Sequence, residues 1–235
     1  MEDIDEWKRL LYNTEFLADS ATDNGRVCSV AGVLLFGNSP KRFLPNAVVD
    51  VAVFPGVEKD YNANFRDTAT SPLVRLGNEQ GDVVAPGIVD QVMNMLQPYV
   101  SREELHGAVR IRRWDYPEAA IREALVNAVV HRDYLLSSTS IEVSLYADRL
   151  EVVSPGKPPN GINPDRMRAG CRAPRNQLLK DVMRDYGYME HMGMGIPRKI
   201  VKLMEEQVGT TPELMVGEER FSLVLRRSSL RSYEL

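Results

Sequence analysis

The sequence predicts an α+β protein whose second half lays helices on one face of a mixed, largely antiparallel sheet. Three observations predict it. Apolar residues recur at helical spacing through Ile88–Val100 and through Tyr116–Tyr134. Short runs at Ser140–Leu145 with Leu150–Val153, and at Glu213–Val216 with Arg220–Leu225, pair as hairpins. Helical and strand patterns interleave through this half, which suits helices gathered on a sheet.

In chain order, Ile4–Leu17 reads as a helix with Trp7, Leu10, Leu11 and Leu17 as its apolar positions. Ala21–Gly25 is a polar turn. Val27–Leu35, with its A-G-V-L-L-F-G run, reads as a buried helix ending on glycine. Ala47–Phe54 is rich in β-branched residues between Pro45 and Pro55, a buried strand. Gly56–Asp82 is polar, with a strand fragment expected at Ser71–Arg75, and Ala108–Trp114 alternates like a strand. A boundary is expected near residue 112, giving an α+β region over 1–112, a second domain over 113–228 and a tail over 229–235. Four prolines and two glycines between Ser154 and Pro164 exclude regular structure there. Short helices are expected at Pro164–Arg168 and Asn176–Tyr186, and another at Ile196–Glu206 with Pro197 in its first turn.

Composition narrows the function. With 43% hydrophobic and 26% charged residues over 235 positions, the chain is globular rather than disordered. A net charge of −4 argues against a polyanion binder by bulk charge. The charge is uneven, however. Residues 149–202 hold eleven Lys or Arg against five Asp or Glu, a basic segment that reads either as a solvated surface or as a face for phosphates. Two distant cysteines, Cys28 and Cys171, suggest neither a disulfide framework nor a zinc site. No apolar run approaches a membrane span and the start is acidic, so a cytoplasmic location is expected.

The candidate site lies on the helix around Glu123. Glu123, Asn127 and His131 are four residues apart, so they stack along one edge beside an apolar stripe of Ile121, Ala124, Leu125, Ala128 and Val129. Such an edge is costly to desolvate unless its groups are hydrogen-bonded or meet a ligand. An Asn oxygen suits a hard cation such as magnesium, and a neighbouring Glu can orient or deprotonate a water. Read alone, the pair fits a satisfied polar helix edge better than a functional one. His131 is read as a cap on last-turn carbonyls, with Arg132 and Asp133 pairing locally; a proton-transfer role is the alternative. The glycines before Ile196 can present backbone N–H groups to an anion, with Arg198 and Lys199 adding charge.

Taken in order, E-A-L-V-N-A-V-V-H-R-D-Y (Glu123–Tyr134), S-P-G-K-P-P-N-G-I (Ser154–Ile162), P-R-N-Q-L-L (Pro174–Leu179) and G-M-G-I-P-R (Gly193–Arg198) resemble the Bergerat, or GHKL, ATP-binding fold of gyrase, heat-shock chaperones and histidine kinases. The closer similarity is to the C-terminal domain of RecG-related ATP-dependent helicases, which follows a Schlafen AlbA-type module in predicted transcriptional regulators. The resemblance implies a two-layer sandwich of helices on the sheet and ATP with magnesium as ligands. Glu123 becomes the general base and Asn127 the magnesium holder. Gly193 and Gly195, with Arg198, fall at the phosphate-side loop, and Gly156 and Gly161 at the adenine-side loop. It also implies a nucleotide as partner and slow Mg-dependent ATP hydrolysis. DNA would be met through other domains or the basic segment 149–202, and homo-oligomerisation is left open.

Two departures qualify what is implied. The family's adenine-side D-x-G-x-G is replaced here by S-P-G-K-P-P-N-G, so Asn160, Asn163 or Asp165 would have to stand in for the aspartate. The alternative is a degenerate GHKL-fold regulatory module without nucleotide turnover. No G-x-x-x-x-G-K-[ST] loop occurs, so these residues carry no helicase motor. An AlbA-type module before residue 1 and a winged helix after the domain are expected from the resemblance; neither pattern falls within this sequence, which reads as a short member or a fragment.

Overall fold

A computed structural model describes residues 3–37, 39–78, 80–106, 109–171, 173–189 and 195–228. Helix α1 (Ile4–Asn13) starts on the Asp3 carboxylate, which accepts from the Asp5 amide. It stops at Thr14, whose hydroxyl donates to the Leu10 carbonyl at 2.8 Å, and Glu15 then takes a left-handed φ of 63°. The helix expected as far as Leu17 therefore ends early, and Leu17 opens strand β1 (Leu17–Asp19), antiparallel to β2 (Arg26–Cys28). The Ser29 hydroxyl accepts from the Gly32 amide to start α2 (Val30–Phe36), so the apolar run expected to be wholly helical begins as a strand. A single turn, α3 (Pro40–Phe43), follows.

Strands β3 (Val49–Val53) and β4 (Phe65–Ala69) come next, then the small pair β5 (Leu76–Gly77) and β6 (Val83–Ala85). The strand fragment expected at 71–75 is absent; Leu73 and Val74 are buried there without strand pairing. Helix α4 (Ile88–Val100) leads into a hairpin of β7 (Ser101–His106) and β8 (Val109–Trp114). Strand β7 was invisible to apolar periodicity because charges occupy it. Arg112 and Arg113 reach Glu103 and Glu104 across the hairpin at 3.3 and 3.2 Å, the cross-strand pairing that suits exposed strands.

The second half then runs through α5 (Glu118–His131), β9 (Ile141–Leu145), β10 (Arg149–Pro155), a 3₁₀ turn (Pro159–Gly161), α6 (Pro164–Arg168) and α7 (Gln177–Asp185). A wide π-type helix (Gly195–Lys202) continues into α8 (Leu203–Gln207), and β11 (Glu213–Val216) pairs with β12 (Arg220–Arg226).

Six strands form one sheet in the order β11-β12-β10-β9-β3-β4, every pairing antiparallel except β3 with β9. The expected α+β class with a mixed, largely antiparallel sheet is what forms. Strand pairing crosses residue 112, since β3 and β4 complete the sheet begun by β9–β12. Along V-D-V-A-V, Val49, Val51 and Val53 enter the core, while the Asp50 carboxylate accepts from the Thr68 and Ser140 hydroxyls. Helix α4 covers β3 and β4, α5 covers β10, and the two helices touch.

The burial of α5 is broader than its expected stripe, because Ala120, Val126 and Val130 are buried as well. Glu123, Asn127 and His131 lie along one polar edge of α5, with Glu123 itself buried. Among the described residues no helix is long and apolar enough to cross a membrane.

Candidate functional site

The site begins with a buried carboxylate. Glu123 is 5% exposed, and the Asn127 side-chain nitrogen donates to its backbone carbonyl at 2.7 Å and to its Oε1 at 2.8 Å. Both amide hydrogens are thereby used on Glu123, so the Asn127 Oδ1 is turned away from it, and Asn127 lines a cleft on that side. The Lys199 Nζ stands 4.0 Å from Glu123 Oε2. A carboxylate in this surrounding needs such partners, since leaving it unmatched costs several kcal/mol, on the order of 5.

The facing wall is the start of the wide helix. Gly195 is forced there by close approach: a Cβ would lie 1.8 Å from Glu123 Oε1 and 2.3 Å from its carboxyl carbon. Wide helical turns of this type recur at functional sites, and Pro197, which has no amide hydrogen, sits in the first turn. Gly193 lies outside the described residues. Arg198 is exposed, and neither it nor Lys199 lines the cleft, although the Lys199 Nζ stands beside Glu123.

The third wall leaves β10. The buried Ser154 hydroxyl donates to the Ala128 carbonyl at 2.8 Å, tying the strand to α5. Gly156 has a left-handed φ of 99°, and a Cβ there would meet the Asp133 Cβ at 2.6 Å. Its close approach is thus to Asp133 of the chain itself, although it also lines the cleft. Gly161, with φ 62°, serves the turn and does not line the cleft; the next residue, Ile162, does. Ile162, Met167 and Phe221 give this end an apolar surface that no helical or strand period announces.

Neither described stand-in for the missing aspartate enters the cleft. The Asn163 Oδ1 accepts from the Arg166 amide at 2.9 Å and caps α6. The Asp165 side chain is 93% exposed and stands 3.5 Å from Arg168. The Asn160 side chain lies outside the described residues.

His131 departs from its expected role. The carbonyls at the end of α5 are capped by Asn176, whose side-chain nitrogen donates to Val130 and Arg132 at 2.8 Å each. Arg132, 2% exposed, donates to the carbonyls of Asn46, Asp133, Leu136 and Thr139. The Asp133 carboxylate pairs with Arg175 at 2.8 Å rather than with Arg132. His131 instead lines the cleft, and no hydrogen bond joins it to a described residue. Burial, with the positive charges of Lys180 and Arg175 beside it, pushes its imidazole down to about 4, so the ring is neutral at pH 7.

Part of the basic segment pairs with carboxylates within the fold. Arg149 pairs with Asp148 and Glu151, Arg175 with Asp133, Arg184 with Asp181 and Asp185, and Lys202 with Glu206. Among the described residues no cluster of three or more His, Cys, Asp or Glu could hold a metal by side chains alone. Any cation here would need oxygens from a ligand besides Asn127.

At this cleft a helix edge bearing Glu and Asn meets a glycine-opened helix and a strand-exit loop. Residues 138–225 match the family model described as "Putative ATP-dependent DNA helicase recG C-terminal", which supports an ATPase-like, nucleotide-binding domain. The match begins after α5, so Glu123, Asn127 and His131 precede the matched segment. The crystal structure of the DIP2311 protein from Corynebacterium diphtheriae is similar in fold, with a TM-score of 0.64 at 22% identity. The likeness covers 97% of this chain and 42% of that one, so the chain spans less than half of that protein's length. None of the curated proteins compared matches the chain.

Proposed function

We propose that residues 113–228, on a sheet completed by β3 and β4, form a Bergerat-type domain binding ATP with magnesium and hydrolysing it slowly, within a DNA-associated transcriptional regulator of the RecG-related, Schlafen-like group. The observation that carries this reading is the Glu123–Asn127 pair closed over by Gly195. A glycine is required there because a buried carboxylate occupies the space a side chain would take. The residues fit the ligand set. Asn127 offers an oxygen to a hard cation while its nitrogen is held by Glu123. A single protein oxygen is in keeping with magnesium, which keeps waters and takes its remaining ligands from phosphates. Bound there, the cation offsets phosphate charge.

In this reading Glu123 orients a water at the phosphate end and takes its proton, and Asn127 fixes the carboxylate by holding Oε1. Lys199, beside Glu123 Oε2, adds positive charge where the phosphates lie. The apolar surface of Ile162, Met167 and Phe221 excludes water from the remainder of the ligand.

Thermal unfolding of the chain with and without Mg-ATP tests the proposal. At about 100 times its dissociation constant a ligand adds ~2.7 kcal/mol of stability. Mg-ATP should raise the midpoint, excess chelator should abolish most of the rise, and Asn127→Ala should lose the magnesium-dependent part. No rise at millimolar Mg-ATP, or an equal rise in Asn127→Ala, would refute it.

A further inference from the structure

The geometry points to His131 as the polar group that reads the base of the bound nucleotide, in the place where the cleft has no carboxylate among the described residues. This rests on the nucleotide reading above and extends it. Three observations carry it. First, the cleft runs along one edge of α5, and the end assigned to the phosphates holds Glu123 and Gly195, with Lys199 beside Glu123. From Asn127 the next residue on that edge is His131, about 6 Å further along the axis at 1.5 Å per residue. A ligand whose phosphates lie at Asn127 and which extends away from Gly195 therefore comes to the imidazole.

Second, His131 is a half-buried polar ring that lines the cleft with no hydrogen bond to any described residue, so its polar edge is open to a ligand. The duty that would occupy it, capping α5, is already done by Asn176. Third, the two described stand-ins for the missing aspartate, Asn163 and Asp165, are turned elsewhere. Asn163 caps α6 and Asp165 faces solvent, while Ile162 and Met167 supply apolar surface only.

A neutral imidazole has one donor and one acceptor nitrogen. It can therefore donate to a ring nitrogen of a purine or accept from an exocyclic amino group. Lys180 and Arg175 beside it oppose its protonation, which keeps that donor–acceptor pair intact at neutral pH.

Calorimetric titration of the full chain with Mg-ATP and, separately, with Mg-tripolyphosphate tests this, using wild type, His131→Ala and His131→Asn. His131→Ala should weaken Mg-ATP roughly tenfold, about 1.4 kcal/mol and near the net worth of one hydrogen bond, and leave Mg-tripolyphosphate within about twofold. His131→Asn, which keeps a donor and an acceptor, should recover part of the loss. Unchanged Mg-ATP affinity in His131→Ala overturns the inference. So does equal weakening of both ligands, which would place His131 at the phosphates or in the fold, and so does wild-type binding of tripolyphosphate without ATP. Wild type binding neither ligand overturns the nucleotide reading itself, and this inference with it.

Discussion

Gly195→Ala is the sharpest perturbation of the site, because the backbone at 195 is not left-handed and the added methyl acts only through contact. The new Cβ would sit 1.8 Å from Glu123 Oε1, where ordinary contact begins at 3.4 Å, so the two must separate by 3.4 − 1.8 = 1.6 Å. The carboxylate cannot retreat that far and keep its 2.8 Å bond from Asn127. Losing a charge-assisted hydrogen bond at a carboxylate only 5% exposed costs about 1.5–3 kcal/mol. Urea unfolding should therefore show Gly195→Ala less stable by ~2 kcal/mol, with a lower midpoint and an unchanged m-value. A double-mutant cycle isolates the cause. In a Glu123→Ala background the methyl has room, so Gly195→Ala should cost little there, and the coupling should be about 2 kcal/mol. Additive losses, with coupling below ~0.5 kcal/mol, would refute the idea that Gly195 exists to admit the carboxylate.

Two further outcomes follow from the end of α5. Asn176→Ala strips the donor from two helix-terminal carbonyls and should lower unfolding free energy by roughly 1–2 kcal/mol; a neutral result in a denaturant melt would show that water replaces the cap without cost. The His131 imidazole should also make stability depend on pH. Above its unfolded value of about 6.5 the ring is neutral in both states, so it contributes no pH dependence. As pH falls from there towards the folded value of about 4, the unfolded chain gains a proton that the folded chain refuses, and stability drops by up to ~3 kcal/mol. His131→Gln should flatten that part of the curve, and identical wild-type and His131→Gln profiles between pH 6.5 and 4 would contradict the burial assigned to the ring.

Elements with strong apolar periods were legible. Helix α4, helix α5, the β9–β10 hairpin and the β11–β12 hairpin all lie where the spacing of their buried residues puts them. The misses share a cause: there, something other than apolar period decides. Hairpin β7–β8 is held by cross-strand charges, which a search for alternating apolar residues passes over. Strand β4 reads F-R-D-T-A because it is the sheet edge, with one neighbour instead of two. The pairing of β3 with β9 joins residues about ninety positions apart, and nothing local in either strand names its partner.

The site divides along the same line. Glu123 and Asn127 were legible because four-residue spacing on a helix is a geometric statement, and the hydrogen bonds between them are its consequence. Arg198 and Lys199 were both named from the sequence, and it is Lys199 that stands beside Glu123. His131 was not, and the reason is physical. Whether an imidazole at a helix end caps it depends on what else reaches those carbonyls, and here the competitor is Asn176, 45 residues later in the chain. Once Asn176 holds the carbonyls of Val130 and Arg132, the cap reading has no work left for the ring. The spacing that put His131 on one edge with Glu123 and Asn127 then decides where it belongs: in the cleft, at the end where Asn163 and Asp165 are turned away.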